Sequence, residues 1–434
     1  LKAIEFNSVP KTAFVLFNNG AFGGAEKRFS GLFCYLNAKY PGKFYFFINN
    51  HLLGQINRIF GDFPINNIRI VDLNIPDPPT INAYNSDPQH NNSVSEPRIF
   101  KDIIPDPLEV DRKAGFARKI YWFQKNKMRQ RKLYNIIERY RQELGIEVFM
   151  GIFSGVLPLV FYLDQNPRSA AVIFSDMDSW FSDVQADMKT LWYRKYYSFN
   201  YALENSDIVD FLSPYIIEGV KKRNIRLNKE RISITACSAV DYSKCRLGSK
   251  EKFEIAFCGR LEPDKNPLLY LEAAHEILKQ YPLVKFHILG EGSLVNEVNG
   301  YLDSNKLRDK INFQFHKNPP EVFAQTSVFV SLQTGTNYPS LSVIESMACG
   351  NAIIASNTGD TGLLVNVNNG LLVDLTLNSI VSAMRNLIDN PQKTNRLGSN
   401  AREFVMKEHT LEKESDYYMN LFINAKRFVI GEKN

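Results

Sequence analysis
Short, uninterrupted apolar runs recur along the whole chain, separated by stretches with helical spacing. In the first half they are Ala13–Phe17, Phe44–Ile48, Ile68–Leu73, Glu147–Phe153, Ala170–Phe174, Ile208–Ser213 and Ile232–Thr235. In the second half they are Phe253–Phe257, Val284–Leu289, Ile311–Phe315, Val328–Leu332 and Ala352–Ala355. Runs this short and this continuous predict strands buried on both faces. Helical spacing follows Ala25 up to Leu36, starts again at Asn266, and returns near Leu294–Leu302, over Leu341–Ala348 and over Leu411–Val429. Strand and helix in alternation imply parallel sheets covered on both sides, an α/β fold. The polar stretch Tyr242–Lys252 divides the series, giving an expected domain at 1–243, a linker at 244–252 and a second domain at 253–410. The 411–434 tail is expected to be a helix crossing back to the first domain. Two doubly wound halves leave a cleft between their strand ends, where α/β folds take ligands.

Two stretches break the alternation. Pro76–Pro107 is rich in Pro, Asn, Ser and Asp without periodicity, so 76–118 is expected to be an insertion loop. From Arg112 to Arg141 basic residues are interleaved with Tyr121, Trp122, Phe123, Tyr134 and Tyr140. That pattern suits a helix lying on an anionic membrane surface or binding an anionic acceptor. It equally suits a solvated helix packed by its aromatic side.

The wider composition narrows the class. The chain has 434 residues, 44% of them hydrophobic, and a net charge of +6, a mild excess that gives no case for nucleic acid. The five cysteines are scattered without a CxxC pair, which argues against zinc or a disulfide framework and fits a reducing, cytoplasmic compartment. Leu1–Asn7 carries Lys2 and Glu5 with no apolar run directly after, so no signal peptide is expected. The uncharged stretch Val148–Leu163 is shorter than the roughly 20 residues of a spanning helix and holds Gly151, Gly155 and Pro158.

Candidate chemistry gathers in loops after strands. Gln333–Gly350 leaves one strand and enters a helix at Ser340, an N-cap residue type, ahead of Leu341 and Ser342. Unpaired N–H groups and the helix dipole there favour a phosphate, and Glu345, one turn further in, is within reach of a ribose hydroxyl. The same pattern also fits an ordinary αβ unit. Ala256–Pro267 places Gly259, Arg260 and Lys265 on one loop, a guanidinium fork and an ammonium suited to a diphosphate. Asn18–Glu26 is glycine-rich at Gly23 and Gly24, where a backbone can approach a ligand closely. It matches neither a dinucleotide fingerprint nor a P-loop, and it also fits a plain tight turn. Asp176-Met177-Asp178 resembles a metal-holding DxD. It lies in the other half from the phosphate-type loops, so an acceptor loop or a solvated turn is preferred and no metal is expected.

These residues together carry a family resemblance. Gly259-Arg260…Lys265, Pro339–Gly350 ending Glu345-Ser-Met-Ala-Cys-Gly, and Gly23-Gly24-Ala25-Glu26 resemble glycosyltransferase family 4. That family comprises retaining, nucleotide-sugar-dependent enzymes of the GT-B fold, two Rossmann-like domains facing across a cleft. The resemblance is strong over 253–375, weaker over 11–60 and 145–245, and absent over 76–118. It implies that Arg260 and Lys265 hold the donor diphosphate and act catalytically. It implies further that Glu345 binds the ribose, that Gly23 and Gly24 overlie the phosphates, and that Gly259, Asn337, Ser340, Leu341 and Ser342 complete the donor site. No cofactor or metal is implied beyond the nucleotide-sugar donor.

The departures are specific. The first glutamate of the E-x7-E motif falls on Asn337, which is expected to touch the sugar but cannot carry negative charge. Pro339 supplies no N–H where relatives have glycine-rich donors. Phe153-Ser154-Gly155 stands near the position of a common family histidine, and Cys237-Ser238-Ala239-Val240-Asp241 replaces the usual Pro-Asn-Gly-Val-Asp. The implied function is transfer of a hexosyl or related group to an acceptor hydroxyl in polysaccharide or glycolipid assembly. A lipid-linked glycan acceptor at the inner membrane face is expected. The alternatives are a donor-binding but inactive partner protein and a nucleotide-sugar epimerase. Base, sugar, acceptor and oligomeric state are left open by the sequence.

Overall fold
A computed structural model describes residues 6–18, 22–60, 63–73, 116–176, 199–222, 225–235 and 238–430. Most of the 76–118 insertion, Arg112, Lys113, Met177, Asp178 and Cys237 lie outside the described residues. Two parallel sheets organise the rest, as the apolar runs imply. The first contains β1 (Thr12–Leu16), β2 (Phe44–Ile48), β3 (Ile68–Ile70), β4 (Val148–Ile152), β5 (Ala171–Asp176), β6 (Ile208–Phe211) and β7 (Ile232–Ile234). Their spatial order is β3-β2-β1-β4-β5-β6-β7, with Thr12 in register with both Phe44 and Val148. The second contains β8 (Glu254–Cys258), β9 (Lys285–Leu289), β10 (Ile311–Gln314), β11 (Val328–Ser331), β12 (Ala352–Ser356) and β13 (Gly370–Val373). Its order is β10-β9-β8-β11-β12-β13.

Each sheet grows outward in both directions from its middle. The order reverses between β1 and β4 in the first sheet and between β8 and β11 in the second. Crevices beyond the carboxyl ends of strands form at such reversals, because the flanking helices lie on opposite faces. Central strands are buried throughout: β1, β4 and β12 show no exposed residue. Phe14 of β1 lies at the middle of an aromatic cluster with Phe29, Phe33, Phe44, Phe46 and Phe422, the last an edge-on contact at 5.7 Å. Full burial of such side chains is worth about 1.5–3 kcal/mol each.

Phe422 belongs to the C-terminal helix Leu411–Ile430, whose Tyr418, Met419, Phe422 and Ala425 sit in the core of the first sheet. The chain therefore ends on the half where it began. The basic segment forms the helix Phe116–Leu144. Leu133, Tyr134, Ile137 and Tyr140 pack inward, while Lys125, Arg131, Lys132 and Arg139 are exposed. The Arg131 guanidinium lies over Tyr134 and Phe161 at 5.0 and 5.1 Å. Among the described residues no helix is long and apolar enough to cross a membrane.

The differences from the sequence expectation lie at strand ends and among the helices. The runs Ile68–Leu73 and Ile208–Ser213 pair only to Ile70 and Phe211, because the sheet hydrogen bonding stops before the apolar residues do. The helices Asn50–Ile59, Leu377–Asp389 and Pro391–Glu408, and the edge strand β13, were not read from the sequence.

Candidate functional site
In the second half, the loops that follow β8 and β11 flank the reversal of strand order. Glycines seat the first of them. Gly290 has φ +158°, and a Cβ there would meet the Gly259 carbonyl oxygen at 1.9 Å, while one on Gly292 would meet the Leu261 backbone at 2.5 Å. The Leu261 N–H bonds the Glu291 carbonyl at 2.8 Å, and Glu262 accepts from the Ser293 N–H at 3.0 Å and hydroxyl at 2.6 Å. These contacts fix the backbone on both sides of Arg260, whose side chain is exposed. Asn266, at φ 51°, is the N-cap position of the helix Pro267–Leu278, and its amide donates to the Leu332 carbonyl at 2.7 Å. Lys265 Nζ donates to Gln333 Oε1 at 2.5 Å and lies 3.2 Å from Asp264 Oδ2. The two motif loops are thus one hydrogen-bonded unit.

The helix Leu341–Ala348 starts beside it. Its first intrahelical bond runs from the Ile344 N–H to the Ser340 carbonyl at 3.0 Å. That leaves the N–H groups of Leu341, Ser342 and Val343 without intrahelical acceptors. Ser340 holds the N-cap position, but its hydroxyl pairs with that of Ser342 at 3.2 Å instead of capping the helix.

The first half supplies the opposite wall. The helix Gly24–Lys39 begins at Gly23, whose N–H donates to the Glu26 carboxylate at 2.9 Å. Gly24 faces Leu341, with 4.0 Å between an added methyl and Leu341 Cδ1. Burial pushes the Glu26 pKa up, against the Gly23 hydrogen bond and the nearby Arg260 charge. Lys27 forms an ion pair with Glu345 across the crevice. Burial opposes the Lys27 charge, but the Glu345 carboxylate outweighs it and raises the ammonium pKa. Further along the cleft, Asp360 Oδ2 accepts the Tyr215 N–H at 2.6 Å, capping the first-half helix Pro214–Lys221 from the other half.

The structure brings Gly23, Gly24, Gly259, Arg260, Lys265, Ser340, Leu341, Ser342 and Glu345 to these facing walls. It does not bring Asn337. That residue is 1% exposed, its Oδ1 accepts from Ser331 Oγ at 2.5 Å, and its Nδ2 donates to Ser356 Oγ at 2.9 Å and Thr361 Oγ1 at 3.2 Å. The Asn337 amide ties β11 to the end of β12 and to the loop that follows it. An amide can serve acceptor and donor neighbours at once in this buried position, which a carboxylate cannot. Sequence reasoning missed Lys27, Asp360 and the Gly290–Gly292 loop. Only the last had a local signal, a Gly-Glu-Gly run directly after an apolar strand. Among the described residues no group of three or more His, Cys, Asp or Glu is placed to hold a metal ion.

Residues 243–404 match the family model for glycosyl transferases group 1. As a whole the chain superposes on Anabaena HepE in complex with UDP and glucose, with a TM-score of 0.65 and 12% identity over 95% of this chain and 99% of that one. Sucrose-phosphate synthase from Thermosynechococcus elongatus gives the same TM-score, 0.65, at 16% identity over 98% and 100% of the two chains. The fold is GT-B.

Curated relatives of the chain are glycosyltransferases. The chain is 28% identical over 181 residues to the Escherichia coli UDP-Gal:alpha-D-GlcNAc-diphosphoundecaprenol alpha-1,3-galactosyltransferase, covering 40% of this chain and 46% of that protein. It is 24% identical over 171 residues to the Staphylococcus aureus poly(ribitol-phosphate) alpha-N-acetylglucosaminyltransferase, covering 39% and 35%. The matches therefore span less than half the length of either relative.

Proposed function
We propose that this GT-B chain is a retaining, metal-independent glycosyltransferase that moves a sugar from a nucleoside-diphosphate sugar to an acceptor hydroxyl. The observation that carries the reading is the convergence at one strand reversal. Arg260, Lys265 and the open N–H groups of Leu341–Val343 converge there, opposite the Gly23–Gly24 helix start. In a glycosyl transfer the departing diphosphate gains charge, and fixed cations and oriented N–H groups stabilise it without moving. Arg260 and Lys265 take the diphosphate, Glu345 the ribose hydroxyls, and the first half the acceptor.

The acceptor is a glycan or lipid-linked glycan at the cytoplasmic membrane face, in polysaccharide or glycolipid assembly. The exposed Lys125, Arg131, Lys132 and Arg139 give the Phe116–Leu144 helix a basic surface suited to anionic lipid. The diphosphoundecaprenol named for the E. coli relative supports a lipid-linked acceptor.

A thermal-shift screen of UDP, GDP, ADP and their sugars tests the donor assignment. A ligand at 100 times its Kd adds about 2.7 kcal/mol to stability. Absence of any shift across the screen discards the reading. A second reading, a donor-binding but inactive partner, draws on Asn337, which is buried where the family resemblance places a sugar-contacting glutamate. Tight nucleotide binding with no transfer to acceptor or water would select it.

A further inference from the structure
Glu345, assigned above to the ribose, already has a partner. Its side chain is 7% exposed and ion-paired to Lys27, whose side chain is 38% exposed. Of the two, the lysine is the one with somewhere to go. It stands in the first turn of the Gly24–Lys39 helix, where the first intrahelical bond is its own N–H to the Gly23 carbonyl at 3.1 Å. The neighbouring residue Glu26 feels the Arg260 charge. Lys27 therefore faces the carboxylate proposed for the ribose, one residue along the helix from a carboxylate within range of the Arg260 charge.

Ribose hydroxyls are neutral donors, and Oε1, one of the two carboxylate oxygens open to them, is the one Lys27 now holds. Released from Glu345, the part-exposed ammonium can turn to another anion close by. The nucleotide's own phosphates arrive with the ribose, and a four-carbon stem lets an ammonium turn between adjacent anions. We propose that Lys27 is a donor-site residue supplied by the first half. It neutralises Glu345 in the empty crevice and passes to a phosphate of the nucleoside diphosphate when the ribose takes Glu345. This rests on the donor-site reading above.

The exchange predicts effects of opposite sign. Lys27 competes with a bare nucleoside for Glu345, yet it attracts a nucleoside diphosphate. The test is calorimetry on the full chain with UDP, GDP and ADP and with uridine, guanosine and adenosine, for wild type, K27M and K27R. For whichever base binds, K27M should weaken the diphosphate by about tenfold or more, the scale of a charge-assisted contact. It should tighten the nucleoside and flatten the salt dependence of diphosphate binding, while K27R stays near wild type. Unchanged diphosphate affinity in K27M overturns the inference, as does a parallel weakening of both ligands, which would mark Lys27 as a purely structural clamp. Failure of the wild type to bind any probe is a different result: it removes the donor-site reading itself, and this inference with it.

Discussion

The two walls of the crevice are built in different ways. The second-half wall consists of loops from adjacent strands, joined within that half by contacts such as Lys265 to Gln333 and Asn266 to Leu332. The first-half wall is a single helix start, and what fixes it lies far away in the chain. Arg28, next to Lys27, donates from Nε to Glu414 Oε1 of the C-terminal helix at 2.6 Å, and both side chains are almost wholly buried. Glu414 Oε2 also accepts the Ala239 N–H at 3.2 Å. Beside them Asp210 of β6 accepts from Tyr417, from Tyr418 at 3.3 Å and from Thr235 at 3.1 Å. One wall is held together within its own half, with Arg260 exposed on it. The other borrows its position from a buried polar network that spans the first sheet, the segment ahead of the linker and the C-terminal helix.

Breaking that network should have the largest effect. Arg28→Ala or Glu414→Ala leaves a buried charge without its partner, at a cost of about 3–5 kcal/mol. Urea or thermal unfolding measures the loss, and the double variant should cost less than the sum of the singles. Additive losses would show that the two side chains act independently. Next come Arg260→Ala and Lys265→Ala. Each should lower transfer on the order of 10²–10³-fold, the scale of removing one group that stabilises developing charge. Neither should move the melting temperature much, because Arg260 is exposed and the glycine-seated backbone holds its loop. Near-wild-type turnover in either variant, measured with a donor found in the screen, would sink the diphosphate assignment.

The same contrast explains what the sequence revealed. Strands such as Phe44–Ile48 were legible because burial on both faces writes an unbroken apolar run. Arg260 and Lys265 were legible because the loop carrying them is short, and Glu345 because it sits one turn into a helix with a readable start. Lys27 was not, since a lysine after Gly-Gly-Ala-Glu looks like any solvated helix residue until Glu345 faces it. The burial of Asn337 was not legible for a related reason. Its partners Ser356 and Thr361 come from the next strand and loop, and nothing local marks the amide as buried.

The junction between the halves gives a smaller, pH-dependent effect. His409, between the helices Pro391–Glu408 and Leu411–Ile430, is 3% exposed and accepts the Ser238 N–H on Nδ1 at 3.3 Å. Burial lowers its pKa to about 4. The neutral ring is favoured in the folded state, so its contribution is complete above pH 6.5 and is lost as pH falls toward 4, roughly 3 kcal/mol in all. Asp210 works the other way. Burial raises it to about 6, so its contribution is greatest below its ordinary value near 3.8 and falls as pH rises through 6. The two oppose each other over the same window, which makes a wild-type pH profile uninformative on its own. His409→Asn keeps an acceptor near Nδ1 and cannot be protonated. The stability gap between wild type and this variant should narrow steadily from pH 7 to pH 4, and a gap constant with pH would exclude a buried neutral His409.

The smallest effect tests whether the walls are held together away from the nucleotide. Ser213 is the N-cap residue of the Pro214–Lys221 helix, yet its hydroxyl does not cap it and has no hydrogen-bond partner among the described residues. Asp360 of the second half caps it instead, bringing negative charge to the positive end of a helix dipole. A cap is usually worth about 0.5–2 kcal/mol, with exposed ones at the low end. Here the loss falls on closure more than on folding, because the acceptor and the donor belong to different halves. Asp360→Ala should therefore leave the unfolding midpoint nearly unchanged and increase the radius of gyration in small-angle scattering, with a few-fold weaker nucleotide affinity at unchanged Arg260 and Lys265. Should scattering and affinity both match wild type, the Lys27 and Gly24 contacts suffice to close the crevice, and Asp360 merely finishes a helix end.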